Sequence, residues 1–448
     1  MTHQKTNLFQ RRLSGKEFLL YNTDAKLDKD TSLAISPAGS DKVLEVFPDS
    51  LFGKDFIENA VAQLQSAAQF DAMVIKIDRI NDKGDETDPD REIDCRLDVA
   101  KIIDSLCQQE NGIWGRLDLG RLGCFFSPKN QTTSLKLAEK IKNSLAESTD
   151  ETVSIGIASF PTLGFKKEEI LDNAAKALEH AAFFGPASIV AFDAVSLNIS
   201  GDNIYQHGDI NGAIREYETA ILLDPSNVNI RNSLGVCYGI LGDYGKALKV
   251  FKEALKIDPD EVMLLYNIGL VNLLTDKTAK AQEYFLEANR KKEDDIFEIA
   301  FQIGRVYLNM GKPETAKEHL EKAVSLNSES GPALRSLGEC YTALNMTAEA
   351  ISTYKKAIRQ NPNDAESLSA LGYLFDLLGE NPEITTMFYR QSVDISPDNG
   401  LLRHRLGSLY LKRNQLEDAL DQFEKAHSLG YDSKDFIKKI KNLIKVKQ

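Results

Sequence analysis

The sequence predicts an α+β domain, a sheet with helices packed on it, followed by an all-α solenoid of stacked helix pairs. Three observations predict it. Glycines in the second half recur at near-constant spacing, and short apolar runs alternate with amphipathic stretches in the first half. No apolar run approaches the ~18 residues that a membrane span needs. With 448 residues, the chain has room for two or three domains of ~150 residues, or for one domain and a repeat array. The expected organisation is an unassigned turn-rich segment over 1–45, an α+β domain over 46–193, a repeat array over 194–433 and a closing helix over 434–448.

In the first half, residues 55–70 (DFIENAVAQLQSAAQF) place apolar side chains at helical spacing, and 72–78 (AMVIKID) read as a short strand. A helix is expected over 97–109, then a hairpin-like pair, GIWGRLDL and GRLGCFFS. Residues 134–148 suit a helix, 152–160 (TVSIGIASF) a strand, 167–185 a helix and 188–193 (SIVAFD) a last strand. This order makes a sheet with helices packed against it.

The second half repeats itself. Gly201, Gly235, Gly269, Gly304, Gly338, Gly372 and Gly407 are separated by 34 or 35 residues. Twelve positions after most of them comes an alanine, as at Ala213, Ala247, Ala281, Ala316, Ala350 and Ala419. Four further on comes a ring or a leucine: Tyr217, Phe251, Phe285, Leu320, Tyr354 and Phe423. The sixth unit slips by one residue, so an extra residue is expected in its turn around Gly379–Pro382. Small residues let two antiparallel helices approach closely, rings fill the gap between them, and a proline such as Pro225 or Pro259 opens the next connection. A single pair cannot bury its apolar face, so the units must stack. After them, Phe436, Ile437, Ile440, Leu443 and Ile444 share one helical face, opposite six lysines. A polar cap on the last unit fits this pattern best, with a membrane-surface helix as the alternative.

These repeats resemble the tetratricopeptide repeat (TPR) family, with seven copies over about 194–433. Three stretches of the first half resemble the GGDEF (diguanylate cyclase) family: Asp49-Ser-Leu-Phe-Gly53, Val153-Ser-Ile-Gly-Ile-Ala158, and Ala174-Ala-Lys-Ala-Leu178 through Gly185. The cyclase resemblance implies a hairpin at Asp118–Leu122, with metal carboxylates at positions 121 and 76. The sequence has Arg121 and Lys76 there. Two Mg²⁺ ions need carboxylate oxygens, and two cations repel them. Ala182 stands where the family's phosphate-holding lysine is expected, and the allosteric Arg-x-x-Asp is absent near Gln109–Gly112. Asn81 and Asp94 align loosely with the family's guanine-reading pair, as a vestigial site or as members of a solvated acidic loop.

Three functions compete: a non-catalytic adaptor or scaffold, a diguanylate cyclase with a divergent site, and a receptor that binds a guanine nucleotide without turning it over. Lys76 and Arg121 favour the adaptor, for which no cofactor or metal is expected and nucleotide binding is disfavoured. Net charge is −13, made of −8 over 1–193 and −5 over 194–448, so neither half has the basic excess that grips a nucleic-acid backbone. The five cysteines are scattered, with no C-x-x-C, and are expected to be reduced and mostly buried. The start of the sequence has no apolar core of a secretory signal, and a cytoplasmic protein is expected.

The TPR resemblance implies that a protein or peptide partner binds the concave face. That face is lined by the second, fifth, ninth and twelfth positions of each first helix. In the third to sixth repeats this selects Met263, Tyr266, Leu270 and Leu273, then Phe301 and Arg305, then Arg335 and Glu339, then Tyr373. On this expectation the groove has an apolar centre with mixed charge beside it.

Overall fold

The computed structural model describes residues 42–78, 89–118, 120–127 and 133–447. Contacts divide the chain into two compact units, one reaching up to Ile257 and the other running from Asp258.

The first unit opens with a short helix, α1 (Lys42–Val46), and then α2 (Gly53–Gln63). Val43 of α1 is buried in the domain core, so the packed part of the domain already includes residues 42–45. Next come β1 (Phe70–Asp78), α3 (Pro89–Glu110), β2 (Ile113–Arg116), β3 (Arg121–Phe126), α4 (Ser134–Ser148), β4 (Thr152–Phe160), α5 (Ile170–Ala181) and β5 (Ile189–Ala191). The strand order is β2-β3-β1-β4-β5. β1 runs antiparallel to β3 and β4, and β5 runs parallel to β4. The first four strands and their two crossover helices make a split β-α-β arrangement.

Both faces of the sheet are covered, which explains why β1 reads as a nearly continuous apolar run. Met73 and Ile75 point to the core shared with α3 and α4. Ala72 and Val74 point the other way, into the core shared with α2 and α5. The second face packs closely because glycines lie under the helices. A Cβ on Gly156 would sit 2.0 Å from the Ala174 carbonyl oxygen of α5, and one on Gly115 would sit 2.4 Å from the Phe56 ring of α2.

The same unit holds the first two helix pairs: α6 (Ala194–Gln206) with α7 (Ile210–Leu223), and α8 (Val228–Ile240) with α9 (Tyr244–Ile257). No spacer separates β5 from α6. Asp193 caps α6, its Oδ1 accepting from the Ser196 amide at 2.8 Å. Phe165 and Phe192 of the sheet domain pack with Ala194 and Leu197 in one cluster. Lys176 of α5 donates to both carboxylate oxygens of Glu216 on α7, at 2.8 Å each, with both side chains about one-fifth exposed.

The second unit holds five more pairs: α10 (Val262–Leu274) with α11 (Thr278–Lys291), α12 (Phe297–Asn309) with α13 (Pro313–Leu326), α14 (Gly331–Ala343) with α15 (Thr347–Gln360), α16 (Ala365–Leu377) with α17 (Pro382–Ile395), and α18 (Gly400–Lys412) with α19 (Leu416–Ser428). The repeating glycines lie where the two helices of a pair cross. A Cβ on Gly235 would meet Phe251 at 2.4 Å, and one on Gly338 would meet Tyr354 at 2.7 Å. The slip in the sixth pair has the expected cause. Its turn is residues 378–381, one longer than the three-residue turns of the other pairs. Finally α20 (Lys434–Lys447) lays Ile440, fully buried, with Ile437 and Ile444 against the core of α18 and α19. It therefore packs as a cap on the last pair.

All five cysteines are free and buried. No helix among the described residues is long and apolar enough to cross a membrane.

Candidate functional sites

Two places concentrate the residues singled out from the sequence. The first is a cleft of about 770 Å³ on the α2 and α5 side of the sheet, lined by Gly53, Lys54, Glu58, Arg121, Glu168 and Asp172 among others. Lys76 and Arg121 are direct cross-strand partners in the β1–β3 register, and both are exposed. Arg121 belongs to a hairpin turn organised by Asp118. That carboxylate accepts from the Gly120 and Arg121 amides at 2.8 Å each, and from Arg121 Nε at 2.7 Å. The one carboxylate of this turn is thus committed to its own backbone and to Arg121. Burial raises the Asp172 carboxyl, with Lys176 pulling it back down. Asp94 is exposed, pairs with Lys42 at 2.5 Å and does not line the cleft. Asn81 and most of the acidic stretch around it lie outside the described residues.

The second place is the face shared by the first helices of the later repeats. Consecutive first helices are joined there by polar bonds. Arg335 of α14 donates to Asp364 at 2.8 Å and lies 3.6 Å from Glu366 of α16. Arg405 of α18 donates to Ser369 Oγ at 3.2 Å, and Lys412 reaches Asp376 at 3.0 Å. Asp364 also caps α16, accepting from the Ser367 hydroxyl at 2.8 Å. Glu339 stands open to water within this row, yet the walls around it desolvate the carboxyl and raise its pKa. Arg335, Arg305 and Arg405 act in the opposite direction. Tyr373 is 47% exposed. On α12, the Arg305 guanidinium lies over the Phe301 ring at 5.2 Å, and Phe301 stacks on Phe297.

The apolar half of the expected groove is placed differently. Tyr266 and Leu270 are each 1% exposed, Leu273 and Phe301 are also buried, and Met263 is half-buried. Tyr266 packs on Phe285 of its own pair, with ring centroids 5.5 Å apart. These rings hold the array together, and truncating a buried Phe costs about 3–5 kcal/mol of stability. Of the expected groove residues, Glu339 and Tyr373 are the ones exposed to solvent. Sequence reasoning passed over Asp364, Arg405 and Lys412. The Asp-x-x-Ser cap at Asp364 was a readable local signal, whereas the pairings between repeats needed the fold.

Three family models match the array: one described as tetratricopeptide repeat over residues 307–372, one as TPR repeat over 201–239, and another tetratricopeptide repeat over 228–261. The chain contains tetratricopeptide repeats. It is 24% identical to the protein CTR9 homolog of Arabidopsis thaliana, over 28% of this chain and 12% of that protein. It is 28% identical to the BBSome complex member BBS4 of Bos taurus, over 30% of this chain and 25% of that protein. The chain thus spans a quarter or less of the length of these curated relatives. Among solved structures, a tetratricopeptide repeat protein from Parabacteroides merdae is 20% identical with a TM-score of 0.42, covering 55% of this chain and 96% of its own.

Proposed function

We propose that this chain is a non-catalytic interaction scaffold that takes a segment of a partner protein along the first-helix face of its later repeats. The observation that carries the reading is the open pair Glu339 and Tyr373, at the same position of successive first helices, in a row continued by Arg305. One acid, one ring and one guanidinium at repeat spacing give an extended segment three chemically distinct contacts.

Lys76 and Arg121 support a non-catalytic sheet domain. If the domain is a degenerate GGDEF-like fold, its two metal positions hold cations on facing strands. The charge that would draw in Mg²⁺ is inverted. The cleft beside them favours one second reading, a receptor for a nucleotide or another phosphorylated ligand, with Lys54 and Arg121 at its wall.

Affinity capture from the native cell tests the first reading, with the full chain compared with Glu339→Lys and Tyr373→Ala. Loss of the same captured proteins in both variants, at unchanged melting temperature, is expected. Tyrosine truncation at a hot spot costs ~2 kcal/mol, roughly thirtyfold in affinity. An unchanged captured set would remove this face as the site. Incubation with GTP and Mg²⁺ or Mn²⁺ should yield no cyclic di-GMP, and sustained turnover would overturn the non-catalytic reading. Titration of GTP without turnover decides the receptor reading.

A further inference from the structure

The sixth repeat departs from the array's own pattern in length and in polarity at one place. Its turn, residues 378–381, is one residue longer than the turns of the other pairs. Around that turn apolar side chains stand in water. Leu377 at the end of α16 is 62% exposed and Leu378 54%, and Ile384 and Met387 of α17 are 44% and 52% exposed. The other repeats serve as a comparison. Each second helix carries a small residue one turn before its buried ring or leucine, Thr385 in α17 and an alanine elsewhere. Counted from that residue, the place of Ile384 is held by Gly212, Lys246, Lys280, Thr315, Glu349 and Asp418 in the other repeats. The place of Met387 is held by Arg215, Lys249, Glu283, Glu318, Ser352 and Asp421. Packing a helix pair therefore requires no apolar side chain at either position, and an exposed apolar patch of this kind marks an interaction surface.

The surroundings of the patch say what covers it. Ile384 and Met387 lie three residues apart and form a ridge along one side of α17. The backbone amides and carbonyls beneath them are bonded within the helix. An extended segment finds no backbone partners there, whereas a second helix can pack its own apolar stripe against the ridge. The open charges beside it have one sign. Glu380 and Glu383 are exposed, and neither carboxylate has a hydrogen bond or ion pair among the described residues. The neighbouring cations are engaged: Lys412 with Asp376, Arg413 with the Pro382 carbonyl at 2.7 Å, and Arg390 with the Tyr410 hydroxyl at 2.9 Å. A second copy of this chain would bring the same open acids, while lysine or arginine would pair with them.

We propose that α17 and the turn before it form a second docking surface, separate from the first-helix face, for a basic amphipathic helix of a partner protein. Its apolar stripe packs on Ile384, Met387 and the leucines of the turn, and its cations meet Glu380 and Glu383. Two surfaces of different chemistry let one scaffold hold two partners at once.

The probe is a fluorescent model peptide that forms an amphipathic helix, leucine on one face and lysine on the other, titrated into the full chain. The double variant Ile384→Thr with Met387→Ser gives the sixth repeat the residues that the fourth and fifth carry there, Thr315 and Ser352. Its melting temperature should match the parent's, and its binding should be weaker by about tenfold or more. Glu380→Gln with Glu383→Gln should also weaken binding and reduce its dependence on salt. Equal binding by the parent and the first variant, or by a scrambled peptide of the same composition, would overturn the proposal. Glu339→Gln, on the first-helix face, should bind the probe as the parent does. A loss there in place of the loss at α17 would move the helix to that face and overturn the proposal. Should the first variant melt early, a photo-reactive group on the peptide takes over, with cross-links to residues 377–388 of the parent expected and cross-links elsewhere overturning it. Size-exclusion chromatography of the parent alone tests the other occupant. A dimer that the first variant dissolves would assign the patch to a second copy and overturn the proposal. No arm uses the partner captured on the first-helix face, so either surface can fail without the other.

Discussion

Asp202 sits on α6 with its Oδ1 accepting from the Tyr217 hydroxyl at 2.6 Å and its Oδ2 from the Asn198 amide at 3.1 Å. Burial nevertheless pushes its carboxyl up to about 6, against the two hydrogen bonds that lower it. The Asn198 side-chain oxygen beside it is buried without a partner, and a protonated Asp202 could donate to it after an amide flip. The folded state thus holds this proton more tightly than the unfolded chain does. Its contribution to stability is complete below pH ~4 and is lost as pH rises through about 6. Asp202→Asn should remove that loss, up to about 3 kcal/mol at neutral pH. Urea unfolding of both proteins at pH 5 and pH 7.5 checks it. The variant should gain on the parent at the higher pH, and parallel behaviour would contradict the assignment.

At the scale of the element, one glycine defines each helix pair. Gly235 of α8 lies so close to Phe251 of α9 that any side chain forces the helices apart. Gly235→Ala should therefore destabilise by about 1–3 kcal/mol through overpacking. Gly245, exposed near the start of α9, has no atom nearer to an added Cβ than Asp243 Oδ1 at 3.7 Å. Gly245→Ala should stabilise by about 0.5–1 kcal/mol, since alanine loses less backbone entropy in a helix. Thermal melts of the two variants should move in opposite directions. A common direction would mean that helix propensity, and not the close crossing, governs both sites.

At the scale of the whole molecule, the sheet domain and the first helix pairs share one compact unit. The first pair buries Ala194 and Leu197 against Phe165 and Phe192, and the Lys176–Glu216 ion pair crosses the same junction. Removing residues 1–193 would open this apolar end to water and leave Glu216 without its cation. The remaining fragment should melt at lower temperature than the full chain, or aggregate, because a repeat array needs a polar cap at each end. Size-exclusion chromatography and a thermal melt check it, and a monodisperse fragment melting at the parent temperature would show that the first pair needs no cap. A milder probe is Lys176→Met. It leaves the Glu216 carboxylate partly buried and unpaired and should cost on the order of 2 kcal/mol.

The sequence by itself determined the helix pairs, their number and even the longer turn of the sixth pair. Each rests on spacing along the chain: a glycine, a ring and an alanine must recur at set intervals for two helices to cross. The strands and helices of the first half were legible for the same reason, through period-2 and period-3.6 patterns. The use of the side chains on the first-helix face was decided by the tertiary structure alone. Leu270 and Tyr373 both hold the ninth position of their first helices, yet one is buried and the other is open. No spacing rule separates them, because burial depends on which elements pack over a position. The facing of Lys76 and Arg121 was likewise set by strand register. Register is a relation between segments distant in sequence, which local pattern does not contain.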